Sequence, residues 1–120
     1  MGNSLLDRFG EFIICDVRDE TISDWKMILD GSMKGEDAVA VRQKLVGFSQ
    51  EQLDTLQELV VEIVDTAIHN LLWAIEQDDE IDFAISLEDG DETSCLSEES
   101  DGLAGELYSE RGWIARFGDV

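Results

Sequence analysis

The chain is poor in the residues on which most catalytic and metal sites depend. Its 120 residues include one histidine, two cysteines and no proline. Di-metal sites in helical bundles take a Glu-x-x-His motif from each of two helices, and a chain with one histidine cannot supply both. The sequence also lacks a phosphate-binding loop, a dinucleotide fingerprint and paired cysteines. We therefore predict a non-enzymatic protein without a cofactor, and the lack of proline fits a helix-rich chain with short connections.

Signals for export and for membrane insertion are missing as well. The N-terminal residues contain no basic region followed by an apolar core, so we predict no signal peptide. No apolar run approaches the length of a membrane span. We therefore expect a cytoplasmic protein in which Cys15 and Cys95 are reduced, semi-buried thiols. Acidic surroundings should raise the pKa of such a thiol and so suppress the reactive thiolate.

Basic residues are few and unevenly placed. Eight lysines and arginines stand against 29 acidic residues, which gives a net charge of −21. No lysine or arginine lies between Lys44 and Arg111, a stretch that contains 19 acidic residues. Self-repulsion of this size costs stability, so it implies a strong core or a partner that compensates the charge. A negative surface repels nucleic acids and anionic membranes and favours basic protein surfaces.

The clearest structural pattern is a long amphipathic helix over about residues 49–77. Ser49 and Gln52 fit a capping box at its start. Apolar residues recur in steps of three and four, which places them on one face, and we expect the rest of the chain to cover that face. Accordingly, Leu71→Asp should unfold the protein by placing a charge in the core. The predicted apolar face consists of Leu53, Leu56, Val60, Ile63, Val64, Ala67, Ile68, Leu71, Ala74 and Ile75.

Three shorter helices are predicted before the long one. They cover about residues 4–17, 21–29 and 36–46. A buried strand at residues 12–15 remains an alternative, because a short apolar run cannot be assigned from its period alone.

Local signals mark the ends of these helices. Asp19 or Thr21 can cap the start of the second helix. Gly31 and Gly47 follow the second and third helices as C-terminal stops. Gly10 lies inside the first helix and should weaken it.

The pattern changes after the long helix. Residues 81–87 and 112–117 both alternate apolar and polar side chains, so we expect two strands that pair. A ribbon of two strands is marginal alone, and this pair would have to pack on the helices. A short helix is predicted within residues 101–108. Residues 88–101 form an acidic, turn-rich segment that we expect to be a mobile loop.

The predicted fold class is mainly α (α+β). We expect a single domain over residues 1–120, built as a compact helical bundle around one long helix (about 49–77). A small C-terminal β pair (about 81–87 and 112–117) would pack on it.

The candidate functional site is an acidic face along the long helix and the residues that follow it. Trp73 lies at its edge, where an aromatic side chain can anchor an interface. Packing of Trp73 against the C-terminal segment and a merely solvated charge run are the structural alternatives. The predicted partner-binding residues are Asp54, Glu58, Glu62, Asp65, His69, Trp73, Glu76, Asp78, Asp79 and Glu80.

Two stretches carry a resemblance to known proteins. VDTAIHNLLWAIEQ and DGLAGELYSERGWIARF are similar to stretches of small bacterial proteins. Over residues 20–118 the chain resembles the small, acidic, helix-rich proteins that bacteria and phages encode as immunity proteins or inhibitors of nucleic-acid enzymes. The resemblance implies a binding protein that neutralises a toxin or nuclease, and it carries over no functional residue.

Two other functions stay open. Asp54, Glu58, Glu62 and Asp65 repeat about every 5–6 Å along a helix face. This spacing is comparable with that of phosphates, as expected of a DNA- or RNA-mimicking phage inhibitor of a host defence complex (anti-CRISPR or anti-restriction type). The last alternative is a small metal-binding helical protein that uses Glu62, Asp65 and His69. In every case we expect no membrane and no direct nucleic-acid partner, and a homodimer is left open.

Overall fold

The protein is mainly helical, as predicted. The structure is a computed structural model that describes residues 5–78, 80, 84–86, 93–95 and 102–119. Its principal dimensions are 53 × 31 × 27 Å, and the longest helix accounts for most of the greatest dimension. The helices are α1 (Leu5–Phe12), a π-helical segment (Ile13–Arg18), α2 (Asp19–Asp30), α3 (Glu36–Lys44), α4 (Gln50–Gln77), a 3-10 helix (Leu103–Glu106) and α5 (Trp113–Phe117).

The start of the long helix is confirmed. The backbone N–H of Gln52 donates to Ser49 Oγ at 3.1 Å, and the backbone N–H of Ser49 donates to Gln52 Oε1 at 2.8 Å. This reciprocal pair satisfies two amide groups that the first turn of a helix otherwise leaves without partners. The helix then runs for 28 residues, which is about 42 Å at 1.5 Å per residue.

The first two predicted helices form one continuous helical run, so the predicted cap at Asp19 or Thr21 is wrong. The Thr21 hydroxyl instead donates to the carbonyl of Val17 at 2.6 Å, one turn back. That bond is available to a threonine inside a helix, and it competes with the capping role. The π-helical segment also excludes the alternative strand at residues 12–15, and its buried members are Ile13, Ile14 and Arg18.

Glycine ends α2, as predicted, but α3 ends before its predicted glycine stop. α3 runs only to Lys44, with Leu45 as its C-cap, so Gly47 lies in the turn that follows the helix. Gly31 follows α2 with a φ of 87°, and Gly47 follows α3 with a φ of 94°. Both lie in the left-handed region, where a side chain would be strained.

The predicted strand pair is wrong in its second member. Residues 112–117 are not a strand, because α5 occupies Trp113–Phe117. Trp113 and Phe117 are four residues apart, which suits one helical turn as well as an alternating strand, and so short a run cannot decide between them. A strand at Ala84–Ser86 pairs instead with Thr93–Cys95, antiparallel, with Ile85 opposite Ser94. The remaining residues of 81–87 and of the predicted mobile loop 88–101 lie outside the described residues.

The main buried cluster lies at one end of the molecule, and Ile22, Leu29 and Ala38 are buried outside it. Three elements meet in the cluster: the π-helical segment, the C-terminal half of α4, and the chain from the 3-10 helix to α5. Trp113 is fully buried, and its ring meets that of Phe9 edge to face, with 5.9 Å between the ring centroids. Packing accounts for the glycine at position 10, since the Trp113 indole occupies the space that a Cβ there would need. The buried cluster consists of Ile13, Ile14, Ile68, Leu72, Ile75, Leu103, Ala104, Leu107 and Trp113.

The N-terminal half of α4 is covered much less. α2 packs against it and α3 packs mainly against α2, which leaves part of its apolar side in solvent. The C-terminal half of α4 also has an exposed side. Leu71, in that half, is 46% exposed, so the expectation that Leu71→Asp would place a charge in the core is wrong. Leu72, which is absent from the predicted apolar face, is fully buried instead. Successive residues of a helix are about 100° apart around its axis. In the C-terminal half of α4, the buried side is therefore rotated by roughly a quarter of a circle from the predicted apolar face, towards the acidic residues.

Candidate functional site

Part of the predicted acidic face is exposed to solvent. Asp54, Glu58 and Glu62 lie one turn apart on α4, about 6 Å from each other along the axis. Asp54 Oδ1 accepts a hydrogen bond from Gln50 Nε2 at 2.9 Å. Among the described residues, none of the ion pairs includes any of these three carboxylates. They form a row of negative charge that the described part of the chain does not neutralise.

Asp65 has a structural partner. The Arg18 side chain is 2% exposed, and its Nε and Nη2 donate to the two carboxylate oxygens of Asp65 at 2.6 and 3.3 Å. Arg18 Nη1 donates to Asp19 Oδ1 at 3.0 Å. Burial by itself would lower the pKa of Arg18, but the hydrogen bonds and charges of Asp65 and Asp19 outweigh it and raise the pKa. A buried guanidinium needs such partners, so Asp65 stabilises the fold at this point.

Glu76 and His69 face the C-terminal segment. The Glu76 carboxylate accepts from the backbone N–H of Ala104 at 2.8 Å, at the start of the 3-10 helix. The ring of His69 lies 6.0 Å from that of Tyr108, centroid to centroid. The Tyr108 hydroxyl donates to the carbonyl oxygen of Asp65 at 3.4 Å. Burial and the charge of Asp65 raise the pKa of Tyr108, against an opposing effect of Arg18. These residues connect the long helix to the C-terminal segment.

The end of the predicted face is exposed in its described part. Asp78 follows the last turn of α4 and accepts from the backbone N–H of Glu80 at 2.8 Å. Asp79 lies outside the described residues. Trp73 is 52% exposed, one helical turn before Gln77. Half of its indole therefore remains available beside the exposed carboxylates.

The chemistry of a metal site or a nucleophile finds little support in the described residues. Within them, no group of three His, Cys, Asp or Glu side chains is arranged to hold a metal ion. Cys15 is exposed rather than semi-buried, and its Sγ lies 3.6 Å from the carbonyl oxygen of Phe117. Desolvation and the charges of nearby acidic residues raise the pKa of the Cys15 thiol, as the sequence predicts. A raised pKa leaves less thiolate at neutral pH, which makes Cys15 a poor nucleophile.

A second surface on α4 was not recognised from the sequence. It is an uncharged strip of eight residues beside the acidic face, and seven of these residues are exposed while Val60 is partly buried. Ile63, at its centre, is 66% exposed. The signal was present in the sequence, because no charged residue occurs at these positions of a highly acidic chain. The uncharged strip consists of Leu59, Val60, Ile63, Thr66, Ala67, Asn70, Leu71 and Ala74.

An apolar cleft extends this strip towards the N-terminal helices. Its volume is about 340 Å³, and it lies between α2, α3 and α4. Its lining is composed of Trp25, Leu29, Val41, Leu45, Leu56, Leu59, Val60, Ile63 and Val64. Large exposed apolar surfaces of this kind mark interaction sites in soluble proteins.

Comparisons with known proteins do not indicate a function for the chain. No family model, no curated protein and no solved structure matches the chain. Among the described residues, none of the helices is both long enough and apolar enough to cross a membrane.

Proposed function

We propose that the chain is a non-enzymatic binding protein whose acidic face blocks a basic surface of another protein. The partner class that fits best is a toxin or nuclease, with this chain as its immunity or inhibitor protein. The observation that carries the proposal is the row of exposed carboxylates at Asp54, Glu58 and Glu62, which have no ionic partner among the described residues.

Electrostatics favours this function over a purely solubilising role for the row. Carboxylates of like charge one turn apart on a helix destabilise it by a few tenths of a kcal/mol for each pair. The net charge of −21 adds a long-range attraction for cations. A basic cleft that docks on the row would relieve the repulsion and would be steered into contact at a high association rate.

The test is reversal of the row. The triple variant Asp54→Lys, Glu58→Lys and Glu62→Lys should keep its helicity, because all three side chains are exposed. It should lose the partner that the unchanged protein captures from a lysate of its source organism. Asp65 is left unchanged, since a lysine there would face the buried Arg18.

A matched control carries the same change in net charge elsewhere. Asp16, Glu20 and Glu110 are exposed and lie outside the row, and none of them takes part in an ion pair within the described residues. Reversal of these three should leave capture nearly intact. Equal capture by the row variant and the control would show that the row is only a solubility face.

A second candidate function rests on the spacing of the same row. Carboxylates about 6 Å apart along a rod can imitate the phosphates of a nucleic-acid strand. A mimic should compete with duplex DNA for the captured partner, and that competition should weaken at high salt. A dedicated inhibitor should stay bound to one cognate partner in the presence of excess DNA.

A further inference from the structure

The spacing of the uncharged strip is that of a helix–helix seam. The steps along Val60, Ile63, Ala67, Asn70 and Ala74 alternate between three and four residues. This is the spacing with which two helices pack side by side, with knobs inserted into holes. Within the described residues, no other helix packs along the exposed part of the seam, from Ile63 to Ala74.

The charge distribution favours a second copy of this chain as the partner that packs on the seam. Around α4, the acidic residues Glu58, Glu62 and Asp65 lie on a different side from Ile63 and Ala67. A basic partner gains nothing electrostatic from a surface without charge and should prefer the acidic face. A second copy of this chain carries the same charge of −21, so it can approach closely only where both copies are uncharged.

The composition of the seam is suited to pairing with itself. Ala67 and Ala74 are small enough to let two helices approach closely, and Ile63 provides a large apolar side chain to fill the space beside them. Asn70 is a polar residue inside the seam, a position where such residues specify register and oligomeric state. A symmetric pair uses the same patch on both copies, and so it needs a patch that is complementary to itself.

The size of the strip is sufficient for a specific contact. Its eight residues expose on the order of 500 Å² on each copy, so complete burial in a symmetric pair would remove about 1,000 Å², the lower limit for a specific interface. The apolar cleft beside Val60 adds to this area. We propose that the uncharged strip of α4 is the interface between two copies of this chain.

Salt dependence separates this proposal from the proposed function. Capture of a basic protein by the acidic face should weaken as salt screens the attraction. Pairing of two acidic chains should strengthen as salt screens their repulsion. Capture of a basic partner and pairing of two copies can therefore each be disproved without affecting the other.

The experiment is sedimentation velocity over a concentration series at low and high salt. We expect a reversible dimer whose dissociation constant falls with salt. Ile63→Glu should raise the dissociation constant at least about tenfold, because the symmetric contact would bury two unpaired carboxylates. Asn70→Glu tests the same contact at a polar, exposed position and serves if Ile63→Glu folds poorly. Val46→Glu is the matched control, since Val46 is 81% exposed and lies outside the strip.

Three results would overturn the proposal. The first is a monomer at every concentration and salt level. The second is dimerisation that survives both strip variants. The third is a melting temperature that Ile63→Glu lowers by several degrees at a concentration where the unchanged protein is monomeric, which would mean that the chain covers the strip with its own residues.

Discussion

The two halves of the long helix share one amphipathic pattern but have different surroundings. In residues 64–77, Ile68, Leu72 and Ile75 are buried against the π-helical segment and the C-terminal elements. In residues 50–63, all of which the structure describes, no side chain is fully buried. A helical period therefore shows that a face is apolar, but it does not show what covers that face. Exposed apolar side chains occur in both halves, at Leu59 and Ile63 in the first and at Leu71 in the second, but only the second half also has a buried side.

The largest difference between the halves should appear on deletion of an apolar side chain. Leu72→Ala should lower the free energy of unfolding by about 3–5 kcal/mol, since it leaves a cavity in a fully buried site. Ile63→Ala should change it by less than about 0.5 kcal/mol, because the side chain is mostly in solvent. Urea denaturation at a concentration where the protein is monomeric measures both. Similar losses for the two variants would mean that the halves do not differ in packing.

A glycine in the packed end gives the next largest effect. Gly10→Ala should cost about 1–3 kcal/mol, because the new methyl group would overlap the buried Trp113 ring. The gain in helix propensity, about 1 kcal/mol, only partly offsets that cost. Gly105→Ala is the control, since a Cβ at position 105 would meet no atom within 4 Å. If Gly10→Ala is as stable as the control in thermal unfolding, Trp113 does not pack as described.

The smallest effect concerns the ion pair that joins α1 to α5. Arg116 Nη2 donates to Asp7 Oδ1 at 2.9 Å. This hydrogen bond lowers the pKa of Asp7 below its usual 3.8, against the effect of burial and with help from the charge of Arg116 and from Trp113. A lowered pKa means that the stabilisation is complete above the ordinary value and is lost as the pH falls through the lowered one. Both side chains are partly exposed, so the contribution should stay below about 1 kcal/mol.

Denaturation of Asp7→Asn between neutral pH and pH 3 measures this contribution. The variant should be less stable than the unchanged protein at neutral pH, and the difference should shrink on acidification. Asp54→Asn in the N-terminal half of α4 is the control, since its carboxylate has no ionic partner among the described residues. A difference for Asp7→Asn that does not depend on pH would exclude the ion pair as its cause.

Local signals were predictable from the sequence, and tertiary choices were not. The Ser49 cap and the glycine stop of α2 depend on neighbours within four residues, so the pattern alone locates them. The strand that pairs with residues 84–86 is decided by tertiary packing. The alternation at 112–117 predicted the wrong partner, since that segment is a helix. The burial of Leu72 in place of Leu71 was also out of reach, because a wide apolar face does not reveal which part of it the chain itself covers.

The acidic face was predictable as a surface, but the different roles of its carboxylates were not. The exposure of Glu58 and Glu62 follows from the charge pattern of the helix. The role of Asp65 does not, because it depends on Arg18, which is 47 residues away in the sequence. Charge patterns alone cannot distinguish a carboxylate that faces solvent from one that holds a buried cation.

The contacts between α1, the π-helical segment and α5 have a consequence for how the protein folds. They join residues that are more than 100 positions apart, as in the bonds from Arg116 to Asp7 and from Cys15 to the carbonyl of Phe117. Closing so large a loop costs chain entropy before any packing rewards it, and contacts of this range slow folding. The N-terminal half of α4 packs against α2, its near neighbour in the chain, and can form early. The buried cluster can therefore form only after the two segments that are most distant in the sequence have come into contact.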